Sequence, residues 1–366
     1  MYDALPADTR SSHPFHMYDE IRLQPEAIAR SLASVQKQGA EVAEDLGRAR
    51  RIYVTGCGTS FHAAMCGARF LTSFSQGRID ARAVQAYEFV TYVPDMRPDD
   101  MLMAVSHSGT TAMTIRALEI ANNVGATTAL VTGVPESPAG RAARHVVASG
   151  YGEERSWAHT VSYTSALASM AALANLAASD EMRLDLAPWP ELVSDVLRLE
   201  PVVHRMAGGT VIADARQPLS VVLVGAGPNV GTASEGALKL LETSYVRAIA
   251  FELEEILHGP LAAISPDMPV IVIAPYGKST PRASGLCQAL RELGVTPLVL
   301  CGEGNAETFA DTHRLVLPDL PEVLSPVPFI VPLQLFSYFM SVDKGLNPDL
   351  IHRDDERQRV ARSRYQ

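Results

Sequence analysis

The chain has 366 residues, of which 47% are hydrophobic and 20% charged, and its mean hydropathy is +0.06. This length suits two globular domains of roughly 150 to 170 residues each, and the composition is far from that of disordered chains. A formal net charge of −10 and a pI near 5.5 argue against a nucleic-acid-binding surface, because phosphate backbones are held by clustered lysines and arginines. Any anionic ligand must therefore be bound by local, specific groups.

Cysteine usage and hydropathy bear on the compartment in which the protein works. The cysteines have neither the spacing of metal ligands nor a paired framework, which is typical of a reducing compartment: Cys57, Cys66, Cys287 and Cys301. No apolar run of about 18 residues and no charged-then-apolar leader is found, so neither a membrane span nor a signal peptide is predicted. We therefore expect a cytoplasmic protein without zinc or disulfide bonds.

The first half of the chain alternates strand, glycine turn and helix. After a loose segment, 1–16, apolar residues at helical spacing predict a leading helix through Ile21, Ile28, Leu32 and Val35. The β-rich run 51–55 is followed by a glycine turn at 56–60 and a helix at 61–70. The pattern recurs with strand 101–105, a helix that reaches Asn122 and strand 127–131. This alternation predicts right-handed βαβ units and a parallel sheet covered on both faces.

The second half repeats this architecture. An apolar helix at 161–178 closes the first domain, and a boundary is expected near 180–190. Strand 219–224 then runs into a glycine turn at 225–229 and a helix at 232–244, with further strands at 270–274, 296–300 and 314–317 and a helix at 284–293. The predicted fold class is α/β, with two doubly wound parallel-sheet domains at 17–185 and 190–344. A polar tail of uncertain order follows at 345–366.

Two hydroxyl-rich turns in the first half predict a phosphate site. The turn with Gly58, Thr59 and Ser60 lies between a strand and a helix, where backbone N–H groups and the positive helix end favour an anion. The second turn also follows a strand and supplies further candidates: Ser106, His107, Ser108, Thr110 and Thr111. Hydroxyl and N–H donors can bind phosphate without lysine or arginine. The alternative is that these residues only cap helices and form turns.

A dinucleotide site is the competing interpretation of the glycine turns. The glycine turns at 56–60 and 225–229 each provide the first two glycines of G-x-G-x-x-G. Phe61 and Val230 occupy the position of the third glycine. We therefore predict no NAD site, and no other cofactor or metal.

Charged residues downstream of the second glycine turn indicate proton chemistry. Glu235, Lys239 and Glu242 occur at i, i+4 and i+7 of the predicted helix and so share one face. Such a face is commonly a solvated row of charges, but this helix is otherwise apolar and could face a cleft. His258 precedes a Gly-Pro break that would expose it, and beside a carboxylate pocket it is a candidate acid/base.

Together these stretches resemble the SIS (sugar isomerase) domain family, and most closely the isomerase half of glutamine:fructose-6-phosphate amidotransferases. The similarity spans about residues 17 to 345 and rests on 18–21, 24–28, 56–60, 106–109, 235–239, 257–260 and 331–335. The resemblance implies two flavodoxin-like SIS domains, a homodimer and a sugar-phosphate substrate. It also implies that Glu242 moves a proton between C1 and C2, that His258 assists ring opening, often from the neighbouring subunit, and that Lys239 supports this catalytic site. We count Glu235 among the candidate substrate- or phosphate-binding residues.

Three departures from the amidotransferase pattern shape the functional hypothesis. Residue 2 is Tyr2, and only about 16 residues precede the match, so no glutaminase domain is expected. The long cations after Lys344 are all arginines, which cannot form the Schiff base expected of a tail lysine. His107 and Thr110 replace the family's usual glutamine and glutamate in the second hydroxyl-rich turn.

These departures favour the stand-alone relatives of the family. The leading hypothesis is amine-releasing cleavage or isomerisation of an amino-sugar or ketosamine phosphate, as in SIS-type glucosamine-6-phosphate deaminases and fructosamine-phosphate deglycases. Plain aldose–ketose isomerisation, which releases no amine, is the first alternative. A non-catalytic sensor of sugar phosphates is the second.

Overall fold

The computed structural model describes residues 8–92, 95–211 and 220–364. Part of the predicted loose segment (1–7), the start of the predicted strand 219–224 (Leu219) and the last two tail residues lie outside these ranges. The described residues contain two five-stranded parallel sheets. The first has the strand order β2-β1-β3-β4-β5, and its strands are β1 (Ile52–Gly56), β2 (Ala81–Gln85), β3 (Met101–Val105), β4 (Thr127–Thr132) and β5 (His145–Ala148).

The second sheet has the order β10-β9-β8-β6-β7, and its strands are β6 (Ser220–Gly225), β7 (Arg247–Glu252), β8 (Val270–Ala274), β9 (Leu298–Gly302) and β10 (His313–Leu317). Counted within its own half, each sheet follows the order 2-1-3-4-5 that is typical of flavodoxin-like folds. The predicted α/β class, with two doubly wound parallel sheets, is therefore confirmed.

Helices cover both faces of each sheet. Those of the first half are α1 (His16–Arg22), α2 (Gln24–Gln38), α3 (Ala40–Arg48), α4 (Thr59–Phe74), α5 (Ala86–Tyr92), α6 (Ala112–Asn123), α7 (Pro138–Ala142) and α8 (Val161–Ala177). Those of the second half are α9 (Trp189–Leu197), α10 (Glu200–Val211), α11 (Asn229–Lys239), α12 (Thr280–Glu292), α13 (Pro326–Asp343) and α14 (Glu356–Arg362). The single leading helix predicted through Val35 is thus two helices, α1 and α2, followed by α3.

One hydrophobic core joins the two halves, with the apolar helices α8 and α13 at its centre. Helix α8 packs on α2 and α4, while α13 packs on α10 and α11. A chain of buried amides ties these elements together, because Gln24 donates to Gln334 (2.8 Å) and Gln334 donates to the carbonyl of Thr160 (3.2 Å). The two sheets are therefore held against each other through shared packing.

Both glycine turns are required by backbone geometry. A Cβ on Gly56 would lie 2.7 Å from the backbone of Ser60, and a Cβ on Gly225 would lie 2.1 Å from the carbonyl oxygen of Asn229. Gly58 and Gly227 have φ of 53° and 55°, a region that glycine adopts without steric cost. Each strand can therefore pass directly into a closely packed helix.

Part of the polar tail is built into the fold. Asp349 is 3% exposed, and its carboxylate accepts the backbone N–H groups of His16 (2.9 Å) and Met17 (2.8 Å) at the start of α1. Further on, the N–H of His352 donates to the hydroxyl of Tyr245 (2.9 Å). The tail thus contacts both the N-terminal helix and the segment that follows α11.

Candidate active site

A narrow cleft opens at the carboxyl edge of the first sheet, between the turns that follow its strands. Thr59 and Ser60 line it from the first turn of α4, because β1 passes into α4 through the glycine turn. Its lining is rich in hydroxyl groups, and three of them come from β4, the end of β5 and α8: Thr132, Ser149 and Ser162. Hydroxyl groups both donate and accept, so they can bind a polar anion without a cation in the lining. The cleft itself has a volume of about 10 Å³, which is room for one water molecule.

Only part of the second hydroxyl-rich turn, 106–111, reaches this cleft. His107 lines the cleft, and Ser106 is buried, with no hydrogen-bond partner for its hydroxyl among the described residues. The hydroxyls of Ser108 and Thr110 bond to each other (2.7 Å) on the exposed part of the turn. Thr111 immediately precedes α6 and makes no side-chain cap.

Glu235 and Lys239 are completely buried, which excludes a solvated row of charges. The ammonium of Lys239 lies 3.3 Å from a Glu235 oxygen and also pairs with Glu242. Glu235 additionally accepts hydrogen bonds from Thr59 (3.1 Å) and from His62 Nδ1 (2.8 Å) on α4. The carboxylate from the second half is therefore fixed to the predicted phosphate turn of the first half.

The predicted helix 232–244 is wrong in one respect that affects Glu242. Helix α11 ends at Lys239, and Leu240–Ser244 form a π-helical turn. Single π-helical turns are frequent at functional sites, and in this one the carboxyl of Glu242 is bonded to the ammonium of Lys239. The Glu242 side chain remains 23% exposed, in contrast to Glu235 and Lys239.

Burial and charge separate the protonation behaviour of the two carboxyls. Burial raises the pKa of Glu242 above its usual range, and the like charge of Glu235 adds to this, although Lys239 opposes it. Burial also acts on Glu235, but the Lys239 charge and the His62 hydrogen bond outweigh it, so the pKa of Glu235 is lowered. Despite its burial, Lys239 has a raised pKa because two carboxylates surround it. Glu242 is thus the group of the three that most readily exchanges a proton.

The structure does not bring His258 to this cluster within one chain. Its imidazole is 68% exposed and hydrogen bonded through Nε2 to Glu254 (3.0 Å), which in turn pairs with Arg282. The predicted exposure of His258 before the Gly-Pro break is therefore observed. Its partners, however, are surface charges of the second half.

Sequence reasoning missed three residues that contact the predicted site residues: His62, Glu154 and His159. His62 lies one helical turn after Thr59, a spacing that could have identified it as facing the same way. Glu154 and His159 lie in the segment between β5 and α8, where no motif marks them. The rings of His159 and His107 meet edge to face, with centroids 4.7 Å apart. The charges of Lys239 and Glu235 also act on the pKa of His159, which Lys239 lowers and Glu235 raises. No group of His, Cys, Asp or Glu side chains suited to a metal occurs in residues 8–92, 95–211 and 220–364.

Curated relatives and solved structures are consistent with this architecture. A glutamine–fructose-6-phosphate aminotransferase of Pyrococcus horikoshii is 32% identical over 93% of this chain and 57% of its own length. The Pseudomonas aeruginosa enzyme of that name is 30% identical over 95% of this chain and 59% of its own length. The chain thus spans somewhat more than half the length of these relatives.

Across the described residues, none of the helices is both long and apolar enough to cross a membrane.

Solved structures below 25% identity share the fold. The C-terminal domain of a Francisella tularensis glucosamine-fructose-6-phosphate aminotransferase matches with a TM-score of 0.84 at 23% identity, covering 92% of this chain and 98% of that one. A Thermotoga maritima glucosamine-6-phosphate deaminase matches with a TM-score of 0.71 at 21% identity, covering 92% and 97%. The SIS domain model matches residues 45–176 and 215–343, one match for each sheet. Since these matches cover more than half of the sequence, the chain belongs to the SIS domain family.

Proposed function

We propose that this chain is an enzyme that binds a sugar phosphate and moves a proton between adjacent carbon atoms of its open chain, with Glu242 as the acid/base. We further propose that the net reaction releases an amine from an amino-sugar or ketosamine phosphate. One observation carries the proposal. The partly exposed carboxyl of Glu242 is bonded to Lys239, whose ammonium also lies 3.4 Å from Thr59 in the predicted phosphate turn.

The charges around Glu242 support proton transfer at carbon. A general base works best when its pKa lies near the working pH, and burial shifts the pKa of Glu242 upward from its usual acidic range. The buried ammonium of Lys239 stays protonated and stabilises negative charge that develops on the substrate during proton removal. Glu235 holds that ammonium in place from the other side.

The proposed reaction on a 2-amino aldose phosphate balances without a cofactor. Glu242 takes the proton from C2 and returns it to C1, while a proton passes from the nitrogen to O1, so that C2 becomes an imine carbon. Water then adds to the imine, the C–N bond breaks, and an amine and a ketose phosphate are released. The proposed phosphate position is the turn of Thr59 and Ser60 at the first turn of α4, at the mouth of the hydroxyl-lined cleft.

We also propose that the protein acts as a homodimer in which the second copy supplies His258 to assist ring opening. The exposure of His258 in a single chain supports this assignment. Mixing refolded Glu242→Gln and His258→Ala chains tests it, because a shared site would be intact in about a quarter of the sites after random pairing. Activity well above that of either variant alone is expected, and no recovery would contradict sharing.

Substituting Glu242 by glutamine tests the central role. General acid–base catalysis typically contributes 10²- to 10⁴-fold, so turnover of glucosamine 6-phosphate or a fructosyl-amino acid 6-phosphate should fall by about that factor. Binding of fructose 6-phosphate, measured by calorimetry, should persist. Glu44→Gln, which changes an exposed carboxylate paired with Arg48, is the matched control and should leave turnover unchanged. Near-normal turnover by Glu242→Gln would overturn the mechanism.

An ammonia assay separates amine release from plain isomerisation. Sugar-phosphate turnover that produces stoichiometric free amine supports the finer proposal. Interconversion of aldose and ketose phosphates without amine release would instead assign a plain isomerase. Fructose 6-phosphate binding without turnover of glucosamine 6-phosphate, fructosyl-amino acid 6-phosphates or hexose 6-phosphates would identify a sensor.

A further inference from the structure

We propose that His62 is a positioning residue of the proton-transfer site: its Nδ1–H holds the buried carboxylate of Glu235, and Glu235 in turn keeps the ammonium of Lys239 against Glu242. His62 acts through these neighbours and makes no bond to the reacting atoms. The inference rests on the proposed role of Glu242 and adds the residue on which the geometry of the charged cluster depends.

One face of α4 carries contacts to α11 and the turn before it. Thr59, His62 and Cys66 occur at i, i+3 and i+7, so they share this face of the helix. Thr59 and His62 bond to the carboxylate of Glu235 at 3.1 and 2.8 Å. The Sγ of Cys66 donates to the carbonyl of Pro228, which immediately precedes α11, at 3.4 Å. His62 therefore lies in the middle of the contact between the first and second halves of the chain.

Close packing fixes the position of His62 relative to Glu235. Gly231 lies one helical turn before Glu235 on α11. A Cβ on Gly231 would lie 2.8 Å from the carbonyl oxygen of His62 and 2.6 Å from the Sγ of Cys66. The two helices thus approach at a distance that only glycine allows. The imidazole and the carboxylate face each other across this tight contact.

The hydrogen bond between His62 and Glu235 has a defined direction. Burial raises the pKa of Glu235, but Lys239 and His62 outweigh burial and lower it overall, so the carboxyl is ionised at neutral pH. An ionised carboxylate only accepts hydrogen bonds, so Nδ1 of His62 carries a proton whether the ring is neutral or charged. Hydrogen bonds to an ionised group are roughly twice as strong as neutral ones.

The other two partners of Glu235 also interact elsewhere. Oε1 of Glu235 faces the hydroxyl of Thr59 and, at 3.3 Å, the ammonium of Lys239, whereas His62 bonds to Oε2. The hydroxyl of Thr59 has one proton, so it cannot donate to Glu235 and to a bound phosphate at the same time. Lys239 divides its charge between Glu235 and Glu242. The bond from His62 is therefore the one that holds Glu235 when a phosphate engages Thr59.

Titration of glutamate carboxyls by ¹³C NMR tests the positioning role without any need for turnover. The titratable groups that face Glu235 come from α4, α8, the segment before α8 and its own segment: His62, Cys66, Tyr163, His159, Lys239 and Glu242. In His62→Leu the titration midpoint of Glu235 should rise by about one pH unit or more, because a hydrogen bond and a nearby charge that lower its pKa are removed. His62→Gln, which retains an N–H donor, should show a smaller rise. An unchanged midpoint in His62→Leu overturns the inference.

A double-mutant cycle tests whether His62 acts through Glu235. His62→Leu should lower kcat for glucosamine 6-phosphate on the order of tenfold, the loss expected for one hydrogen bond to a charged group, and His62→Gln should recover most of it. In a Glu235→Gln background the same leucine substitution should lower kcat less than about twofold. An equal loss in both backgrounds contradicts the inference, because His62 would then act independently of Glu235.

His145 provides the matched control. Its side chain is 14% exposed, close to the 18% of His62, and it pairs with a carboxylate of α3, Asp45, at 2.9 Å. His145→Leu should leave kcat and the Glu235 midpoint unchanged, and an effect equal to that of His62→Leu would refute a specific role for His62. If Glu242→Gln keeps full turnover while the Glu235 midpoint rises as expected, the proton-transfer mechanism fails and the positioning of Glu235 by His62 stands.

Discussion

Replacing Lys239 by methionine tests the buried ion cluster most directly. Lys239 is completely buried, 3.3 Å from Glu235 and paired with Glu242. Methionine has a similar length but no charge, so the substitution changes electrostatics more than packing. It leaves Glu235 buried with only Thr59 and His62 as partners.

The expected loss of stability is large. Removing one partner of a buried ion pair typically costs about 3 to 5 kcal/mol, because the remaining charge is left without compensation in a medium of low polarity. We expect the free energy of unfolding of Lys239→Met to fall by about that amount at pH 8. An exposed lysine on α2, Lys37, provides the control, since Lys37→Met should change it by less than about 0.5 kcal/mol.

The stability loss of Lys239→Met should depend on pH, in a direction that is set by the pKa of Glu235. In the native chain the pKa of Glu235 is lowered, because Lys239 and His62 outweigh burial, so its contribution to stability is present above its unfolded pKa and is lost as pH falls. Without Lys239, burial dominates and raises the pKa of Glu235 above its unfolded value. Protonation then favours the native state, so the deficit of the variant should shrink from pH 8 to pH 5.5.

Urea unfolding followed by circular dichroism at both pH values measures the effect. The double variant Glu235→Gln/Lys239→Met removes the uncompensated charge and should recover part of the stability at pH 8. A loss below about 1 kcal/mol that is the same at both pH values would refute the reasoning, because it would mean that water reaches Glu235 and replaces the ammonium.

Two further substitutions test the contacts of α1. Asp349→Ala leaves the N–H groups of His16 and Met17 without their acceptor. The free energy of unfolding, measured in urea, should therefore fall by about 2 kcal/mol, with a smaller loss in Asp349→Asn. An unchanged value for Asp349→Ala would show that the tail does not hold α1. Burial and the charge of Glu154 raise the pKa of Glu20 to about 9, so native stability should fall as pH rises toward that value. Glu20→Gln, which cannot titrate, should therefore gain stability relative to the native chain between pH 5.5 and 8.5 in thermal melts, and a pH-independent difference would contradict this.

The sequence predicted the central strands and one edge strand, β10 at 314–317, but not the other three edge strands. The predicted strands 51–55, 101–105, 127–131, 270–274 and 296–300 correspond to interior strands of the two sheets, which are apolar because both faces are covered. The missed strands β2, β5 and β7 all lie at sheet edges. Their residues alternate between polar and apolar or are partly exposed, so no continuous apolar run marks them.

Helix α13 was missed for a related reason. It is apolar around its whole circumference and contains Pro332, so it has neither the amphipathic period of a surface helix nor an uninterrupted helical sequence. Burial on all sides, which only the assembled core provides, stabilises it.

The sequence by itself determined the repeated strand, turn and helix, the glycines of both turns and the spacing of Glu235, Lys239 and Glu242, because these depend on local backbone geometry and helical period. Only the tertiary structure decided that Glu235 meets Thr59 and His62, or that His159 lies against His107. These pairs come from segments far apart in the chain, and their contact depends on how the strand ends converge and how the two sheets pack. Burial then sets the protonation of Glu242, which no local pattern encodes.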